Sequence, residues 1–227
     1  METTMTLPLQ RQVFLNGEGD AWFERNFQDS PAQISHWSEH DPLLKLLLNL
    51  PLPKGPEVSV LEVGCGQGLR LACLNQIMGW SVSGLDPSQQ AIKQVSSQGI
   101  NGSVGTADSL PASDSSVDLL IYGFCLYLCD RDDLFEIISE ANRVLKDQAW
   151  LAIIDFWTPS QQVNAYHHRP GINSYKDDLP AIFTWHPSYV VTDHCVRHHA
   201  TGSYTDDLQE MVGATILRKS VCNSDVS

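Results

Sequence analysis

The chain has 227 residues, and its 14 lysines and arginines against 27 aspartates and glutamates give a formal net charge of −13. This charge argues against bulk nucleic acid or an anionic membrane as a partner, because both require a surface that neutralises phosphates. Hydrophobic residues make up 42% and charged residues 18% of the chain, which is typical of a folded, core-forming protein. At this length we expect one domain with elaborations.

The six cysteines form no CxxC pair and no zinc-ligand spacing, so we interpret them as reduced thiols in a core or cleft. Residues 1–15 lack a basic region followed by an apolar one. The longest apolar run, residues 43–50, is interrupted by Lys45 and Asn49. We therefore expect a cytoplasmic protein without a membrane-spanning segment.

The first 50 residues are predicted to form an N-terminal cap that ends in a helix. Residues 1–37 mix polar and aromatic side chains, which indicates an ordered segment. Residues 38–50 begin with two N-cap candidates, Ser38 and Asp41, and have Pro42 at the first helical position. Leucines on more than one face of this segment predict a buried helix.

Between residues 58 and 156, short apolar runs of strand length alternate with helical stretches. The strand candidates are 58–63, 81–85, 101–106, 117–122 and 150–156. The helix candidates are 69–78, 89–97 and 131–145, the last with an apolar row of Leu134, Ile138, Ala141 and Leu145. This alternation predicts a doubly wound α/β fold, with a mostly parallel sheet and helices on both faces. A loop (158–176), a short apolar segment (179–185) and two strand candidates (189–199 and 211–219) follow.

The strongest motif is the turn Glu62-Val63-Gly64-Cys65-Gly66-Gln67-Gly68, where an apolar strand leads directly into a helix. Glycines permit a tight turn and let a ligand approach the backbone, and the helix start offers free N–H donors. Such a turn lies at the carboxyl edge of a parallel sheet, where ligands bind. The alternative is a tight turn with no ligand.

A second motif places Asp86 at the end of the next strand, a little under 20 residues beyond the glycines. A carboxylate there can accept both hydroxyls of a ribose. The alternative is an N-cap for the following helix, since Asp and Ser are good caps.

The third motif, Gly105-Thr106-Ala107-Asp108-Ser109-Leu110-Pro111, precedes the fourth strand. With it, the chain resembles the class I S-adenosylmethionine (SAM) dependent methyltransferases over about residues 58–156. The resemblance implies a seven-stranded Rossmann-like sheet whose last strand, 211–219, is antiparallel, and it implies SAM as the cofactor. An NAD-linked enzyme fits less well. Its phosphate-binding turn has the pattern GxGxxG, which cradles a pyrophosphate, whereas this turn reads GxGxG and SAM has no pyrophosphate.

The resemblance also implies roles for individual residues. Asp86 would hold the ribose, Asp108 with Ser109 would meet the adenine, and Glu62 would support the glycine turn. The residues expected to line the methionine part and the sulfonium side are Gly64, Cys65, Gly66, Gly68, Gly123 and Phe124.

Residues 14–26 resemble the entry segment of methyltransferases associated with bacterial surface-sugar pathways, including pseudaminic-acid-associated methylases. Arg25 is suited to pair with the SAM carboxylate, and Trp22 to close over the cofactor. The alternative is a helix whose aromatic residues pack on the core while its arginine is solvated.

Methyl transfer to a hydroxyl requires alignment of the acceptor and removal of its proton. We predict His167 or His168 as the base, because histidine titrates near neutrality, with Asp155 orienting it or sharing the role. The alternative is that both histidines are surface residues. A metal site formed by Asp155, His167, His168 and His186 is the other interpretation, but no single-face spacing supports it and we predict no metal. His194, His198 and His199 are interpreted as structural or exposed, and Cys125 and Cys129 as apolar fillers.

We therefore predict a SAM-dependent methyltransferase acting on a small polar acceptor, a hydroxyl of a sugar or nucleotide sugar. The predicted organisation is a cap and helix at 1–50 and a SAM-binding core at 51–227, with the acceptor recognised by a loop at about 157–187. The alternatives are an N- or O-methyltransferase of a natural-product scaffold and a SAM-binding protein without transferase activity. Neither a nucleic acid nor a membrane partner is expected, and the sequence leaves the oligomeric state open.

Overall fold

The computed structural model describes residues 9–27 and 41–220. The predicted cap residue Ser38 and the rest of residues 28–40 lie outside the described residues. None of the helices in the two described ranges has the length and apolar character needed to cross a membrane.

The N-terminal cover, which we define as residues 9–27, is a kinked helix. It consists of helix α1 (Gln10–Val13), a π-helical turn (Phe14–Glu18) and helix α2 (Gly19–Phe27). The kink lies at Gly17, whose φ of 120° is open to glycine because it has no Cβ.

Helix α3 (Pro42–Leu47) follows the prediction for residues 38–50 but is shorter. Asp41 is its N-cap, because the Asp41 carboxylate accepts a hydrogen bond from the Leu43 N–H, and Pro42 occupies the first turn. The leucines of this helix are buried against the sheet.

The main sheet has seven strands in the order β3-β2-β1-β4-β5-β9-β8. Strands β1 to β5 pair in parallel, whereas β9 runs antiparallel to both β5 and β8. The predicted doubly wound, Rossmann-like sheet with an antiparallel last strand is therefore confirmed. The strands are β1 (Ser59–Val63), β2 (Ser81–Asp86), β3 (Asn101–Val104), β4 (Val117–Gly123), β5 (Leu145–Phe156), β6 (Gln162–Ala165), β7 (Asn173–Lys176), β8 (Tyr189–His198) and β9 (Met211–Lys219).

Helices cover both faces of this sheet because successive strand residues point to opposite sides. On β1, Val60 joins the apolar cluster on one face, and Leu61 joins the cluster on the other. The remaining helices are α4 (Leu69–Met78), α5 (Gln89–Ser97), α6 (Leu134–Val144) and α7 (Ala181–Thr184), with 3-10 turns at Leu126–Leu128 and Arg131–Asp133.

The buried face of α6 differs from the predicted apolar row. Ile137, Ala141 and Val144 are buried, while Leu134 and Ile138 are only partly buried. The two rows are adjacent on the helix surface and share Ala141, so the buried face is rotated slightly from the predicted one. Leu145, predicted as the last helical residue, is the first residue of β5.

The segment 158–176 was predicted as a loop but contains a two-stranded antiparallel hairpin of β6 and β7. Its strands are only four residues long; β6 alternates polar and apolar residues, but β7 does not, so the sequence offers no matching pair of strand patterns. This hairpin stands apart from the main sheet, beyond the carboxyl end of β5.

Candidate active site

The glycine turn between β1 and α4 approaches the end of β4 very closely. Gly64, Gly66 and Gly68 all have positive φ, of 74°, 49° and 73°. A Cβ on Gly64 would lie 2.5 Å from the carbonyl oxygen of Gly123. The turn therefore requires glycine at this position both for its backbone conformation and for the space available.

A cavity of about 200 Å³ opens at this turn, at the carboxyl edge of the sheet and beneath the N-terminal cover. Of the predicted cofactor residues, it is lined by Trp22, Glu62, Gly64, Cys65, Gly66, Asp86, Asp108, Gly123 and Phe124. Three other predicted cofactor residues do not line this cavity. Gly68 is the N-cap of α4, Ser109 is exposed, and Arg25 lies outside the cavity wall.

Asp86 connects the glycine turn to the loop after β2. Its carboxylate accepts hydrogen bonds from the N–H of Gly66 at 3.0 Å and the N–H of Ser88 at 2.9 Å. The N-cap of α5 is Ser88, whose hydroxyl accepts from Ala91, so Asp86 is not the cap that the alternative interpretation proposed. Burial raises the pKa of Asp86 to about 6.

Glu62 belongs to a buried ionic network at the floor of the cavity. The Arg70 guanidinium donates to Glu62 and, at 2.8 Å, to Asp41. Burial raises the pKa of Glu62 to about 7 although Arg70 opposes the shift. The second carboxylate oxygen of Glu62, Oε2, is buried and has no hydrogen-bond partner among the described residues. An unpaired acceptor in a cavity wall suits a ligand that carries an N–H donor or an ammonium group.

The N-terminal cover is tied to two loops that line the cavity. Arg11 Nη1 lies 3.1 Å from Asp108 Oδ2 and 2.8 Å from Asp133 Oδ1. At the other end, Asp20 accepts a hydrogen bond from the Ser88 hydroxyl at 2.6 Å. A Cβ on Gly19 would lie 3.0 Å from the backbone of Pro87 and Ser88.

Sequence reasoning missed several residues that line this cavity, including Arg11, Phe14, Gly19 and Phe27. Phe14 and Gly19 lie in residues 14–26, the segment that resembles a methyltransferase entry segment, so this resemblance could have indicated that they line the cavity. Arg11 lies 97 residues from Asp108 in sequence, and no local pattern marks such a pair.

A second cavity, of about 470 Å³, adjoins the first and shares the Trp22 side chain with it. The rings of Phe124 in the first cavity and Phe156 in the second are in edge contact, with centroids 5.8 Å apart. The residues that line the second cavity are Trp22, Arg25, Asn26, Tyr127, Phe156, Tyr166, His168, Ser174 and Lys176.

Comparisons with known proteins agree with this geometry. Residues 61–153 match the family model described as a methyltransferase domain. A SAM-dependent methyltransferase from Methanosarcina mazei is similar in structure, with a TM-score of 0.60 and 18% identity over 78% of this chain and 97% of that one. Residues 61–153 therefore form a methyltransferase domain, in a chain with the fold of SAM-dependent methyltransferases.

Two further solved structures have the same fold. The [4+2]-cyclase SpnF has a TM-score of 0.68 and 17% identity over 95% of this chain and 98% of that one. The geranyl diphosphate C-methyltransferase from Streptomyces coelicolor, whose structure contains S-adenosyl-L-homocysteine, has a TM-score of 0.64 and 12% identity over 92% of this chain and 98% of that one. No curated protein sequence matches the chain. In this chain, the cavity at the glycine turn offers the unpaired acceptor Glu62 Oε2, which fits the ammonium group that S-adenosylmethionine carries.

Arg25 of the methyltransferase faces the second cavity rather than the first. Its guanidinium donates to Glu18 at 2.5 Å and to the Tyr166 hydroxyl at 2.9 Å, and that hydroxyl donates to Glu18 at 3.0 Å. The arginine is exposed, as the alternative interpretation expected, but it is paired with Glu18 and does not line the first cavity. Burial raises the pKa of Tyr166 to about 12, so its hydroxyl stays protonated near neutrality.

Of the three residues predicted to handle the proton, only His168 lines a cavity. Its ring lies against Tyr166, with centroids 5.4 Å apart. His167 is exposed and lines neither cavity of the methyltransferase.

Asp155 is buried behind the active-site loop. Its carboxylate accepts hydrogen bonds from the N–H groups of Leu126 at 2.9 Å and Tyr127 at 3.2 Å, and burial raises its pKa to about 7. This arrangement fixes the backbone after β4, so Asp155 acts on the loop rather than on a histidine. Within the described ranges, no three His, Cys, Asp or Glu side chains are grouped to hold a metal ion.

The cysteines of the first cavity have no activating partner. Burial raises the pKa of Cys125 and, to about 12, that of Cys129. Thiols in this state are poor nucleophiles, which agrees with their interpretation as fillers. His199, interpreted as structural or exposed, is exposed and packs against Phe124 and Phe156.

Proposed function

We propose that the enzyme transfers the methyl group of S-adenosylmethionine to a hydroxyl of a small polar acceptor, a sugar or nucleotide sugar, bound in the second cavity. The observation that carries this proposal is the pair of adjoining cavities that share Trp22. A bound cofactor supplies an electrophilic methyl group on a sulfonium, and the second cavity is the space from which an acceptor reaches it.

The first cavity is proposed to hold the cofactor. Asp86 holds the ribose, since each of its oxygens has a lone pair beyond the bond it accepts from the backbone. Asp108, which lines the cavity, contacts the adenine, and Glu62 accepts from the cofactor's ammonium group. The methionine part and the sulfonium lie along Gly64, Cys65, Gly66, Gly123 and Phe124, with Trp22 covering them.

The acceptor is proposed to lie between the N-terminal cover and the segment 157–187, which together supply most of the second cavity's wall. His168 takes the hydroxyl proton, because it lines this cavity and an imidazole nitrogen can act as a general base. The contacts of Arg25 with Glu18 and Tyr166 favour a role in shaping this wall over the predicted pairing with the cofactor carboxylate.

A natural-product scaffold is the second candidate acceptor. Three aromatic residues of the segment 157–187, Trp157, Tyr166 and Trp185, do not form one pocket for it, since Trp185 is 84% exposed and Trp157 donates to Asp178. The second cavity is nevertheless lined by four rings, those of Trp22, Tyr127, Phe156 and Tyr166. A flat aromatic acceptor would stack on such rings.

Label transfer from methyl-labelled SAM to a panel of sugars, nucleotide sugars and phenolic or amine scaffolds tests the proposal, with mass detection of the product. A labelled sugar supports it, and a product found only among aromatic scaffolds favours the second candidate. Confirmed SAM binding with no transfer to any member of the panel would contradict both and favour a SAM-binding protein without transferase activity.

A further inference from the structure

We propose that the acceptor carries an oxyanion, a carboxylate or phosphate group, and that Lys176 binds it in the second cavity. This inference rests on the proposed function and names the chemical class of the substrate. Lys176 is then a specificity-determining residue.

Lys176 ends strand β7, and its ammonium group lies in the wall of the second cavity. The ammonium is 4.6 Å from the centroid of the Phe156 ring and donates a hydrogen bond to the carbonyl of Gln209. It forms no ion pair with any carboxylate among the described residues. An ammonium has three N–H donors, so Gln209 leaves it the capacity to bind a ligand.

Partial burial lowers the pKa of Lys176, although the nearby carboxylates of Glu210 and Asp207 oppose the shift. The lowered pKa indicates that the charged form loses hydration without gaining a direct counter-ion. A bound oxyanion would replace the lost hydration with a charge-assisted hydrogen bond.

The charge distribution around the cavity points to the same ligand class. The chain carries a net charge of −13, yet the nine residues that line this cavity include Arg25, His168 and Lys176 and neither an aspartate nor a glutamate. Glu18 pairs with Arg25, whereas Lys176 has no directly paired carboxylate among the described residues and only the more distant charges of Glu210 and Asp207 near it. A partly desolvated cleft concentrates the field of such a charge on an incoming anion.

The position of Lys176 also suits a small acceptor. The Phe156 ring contacts Lys176 on one side and, with centroids 5.8 Å apart, Phe124 of the first cavity on the other. An anion held at Lys176 would therefore place the rest of the acceptor one aromatic ring away from the cofactor cavity. The competing interpretation is that Lys176 only fastens the hairpin to Gln209.

Equilibrium binding of simple anions separates these interpretations. The full chain, saturated with S-adenosylhomocysteine, is titrated with acetate, inorganic phosphate and pyrophosphate at constant ionic strength, and binding is followed by amide shifts of residues 162–176. The variants are Lys176→Gln, Lys176→Arg and the control Lys54→Gln. Lys54 is exposed, and its ammonium likewise donates to a backbone carbonyl, that of Ile77 at 3.2 Å.

We expect at least one anion to bind the wild type and the Lys54→Gln variant equally, and Lys176→Gln to weaken it at least tenfold. Lys176→Arg should restore most of the affinity, because it keeps the charge, and an intact amide spectrum shows that each variant is folded. The preferred anion distinguishes a carboxylate from a phosphate. Equal affinity in Lys176→Gln and wild type, or no binding of any of the three anions to the wild type, overturns the proposal.

The label-transfer panel separates this failure from failure of the proposed function. Transfer to neutral sugars, with an unchanged KM in Lys176→Gln, would leave the methyltransferase function standing and reject the role of Lys176. Anion binding that depends on Lys176 without any methyl transfer would reject the proposed function and retain the anion site.

Discussion

The carboxylate of Asp86 accepts a hydrogen bond from the backbone N–H of Gly66 at 3.0 Å. This bond joins the ends of β1 and β2, whose loops both line the cofactor cavity. The shape of the glycine turn therefore depends on the charge state of Asp86. The ionised carboxylate can accept hydrogen bonds from the N–H groups of both Gly66 and Ser88.

SAM affinity is predicted to fall as the pH is lowered through about 6. Burial raises the pKa of Asp86 to about 6, so the carboxylate is ionised above that pH and protonated below it. Only the ionised form accepts two ribose hydroxyls while keeping its backbone bonds, so the dissociation constant should rise up to about tenfold per pH unit below the pKa. Calorimetric titrations between pH 5 and 8 measure this dependence.

The variant Asp86→Asn is the control for the pH dependence, because its amide does not titrate. It should bind SAM more weakly at pH 8 and lose the part of the pH dependence that Asp86 causes. Glu62, with a pKa raised to about 7, titrates in both proteins, so only the difference between them reports on Asp86. Identical pH profiles for the two proteins would refute this role.

Gly19→Ala tests how tightly the N-terminal cover is seated. Alanine favours helix over glycine by about 1 kcal/mol, but its Cβ would lie 3.0 Å from the backbone of Phe14, Pro87 and Ser88. We expect the crowding to prevail, so that SAM affinity falls several-fold and the thermal midpoint drops. In the control Gly202→Ala, nothing lies within 4 Å of the new Cβ, although the φ of 66° there lowers stability, so only SAM affinity is compared between the two variants. That variant should keep wild-type SAM affinity, and an equal loss in both would remove crowding as the cause.

Arg11→Gln is predicted to speed dissociation of the cofactor. Arg11 fastens α1 to Asp108 and Asp133, which both line the cavity. These contacts are partly exposed, so we expect an effect of about 1 kcal/mol, or roughly five- to tenfold in the dissociation rate, measured by stopped flow. Arg218→Gln removes the same charge near the start of β5 and should leave the rate unchanged. A wild-type rate in Arg11→Gln would show that the cover is held by other contacts.

The parts of the fold that the sequence predicted correctly depend on local patterns. The glycine turn, Asp86 and the strands around them are marked by residue types that a turn or buried strand needs, independent of distant contacts. Arg11 and Lys176 carry no such mark, because their partners lie 97 and 33 residues away in the chain. The prediction that Asp155 assists a histidine in removing the acceptor proton was based only on the residue types. In the structure, the backbone N–H groups of Leu126 and Tyr127, in the loop after β4, donate hydrogen bonds to the Asp155 carboxylate.

Arg70→Gln is predicted to destabilise the fold strongly. Arg70 is 7% exposed and shared by two buried carboxylates, Asp41 and Glu62. Its removal leaves buried negative charge without compensation, which costs about 3 to 5 kcal/mol. Urea unfolding measures the change. The control Arg143→Gln breaks an exposed pair with Asp114 and a pair with Glu140, and it should cost only about 1 kcal/mol. Similar losses in the two variants would refute the special role of the buried network.

The two adjacent histidines provide a matched test of the proposed base. His168 lines the second cavity, whereas His167 is exposed and lines neither. His168→Asn removes the proton acceptor and should lower kcat by about 10² to 10⁴, with SAM affinity unchanged. His167→Asn should retain near wild-type turnover. Wild-type turnover in His168→Asn would assign proton removal to another group or to solvent.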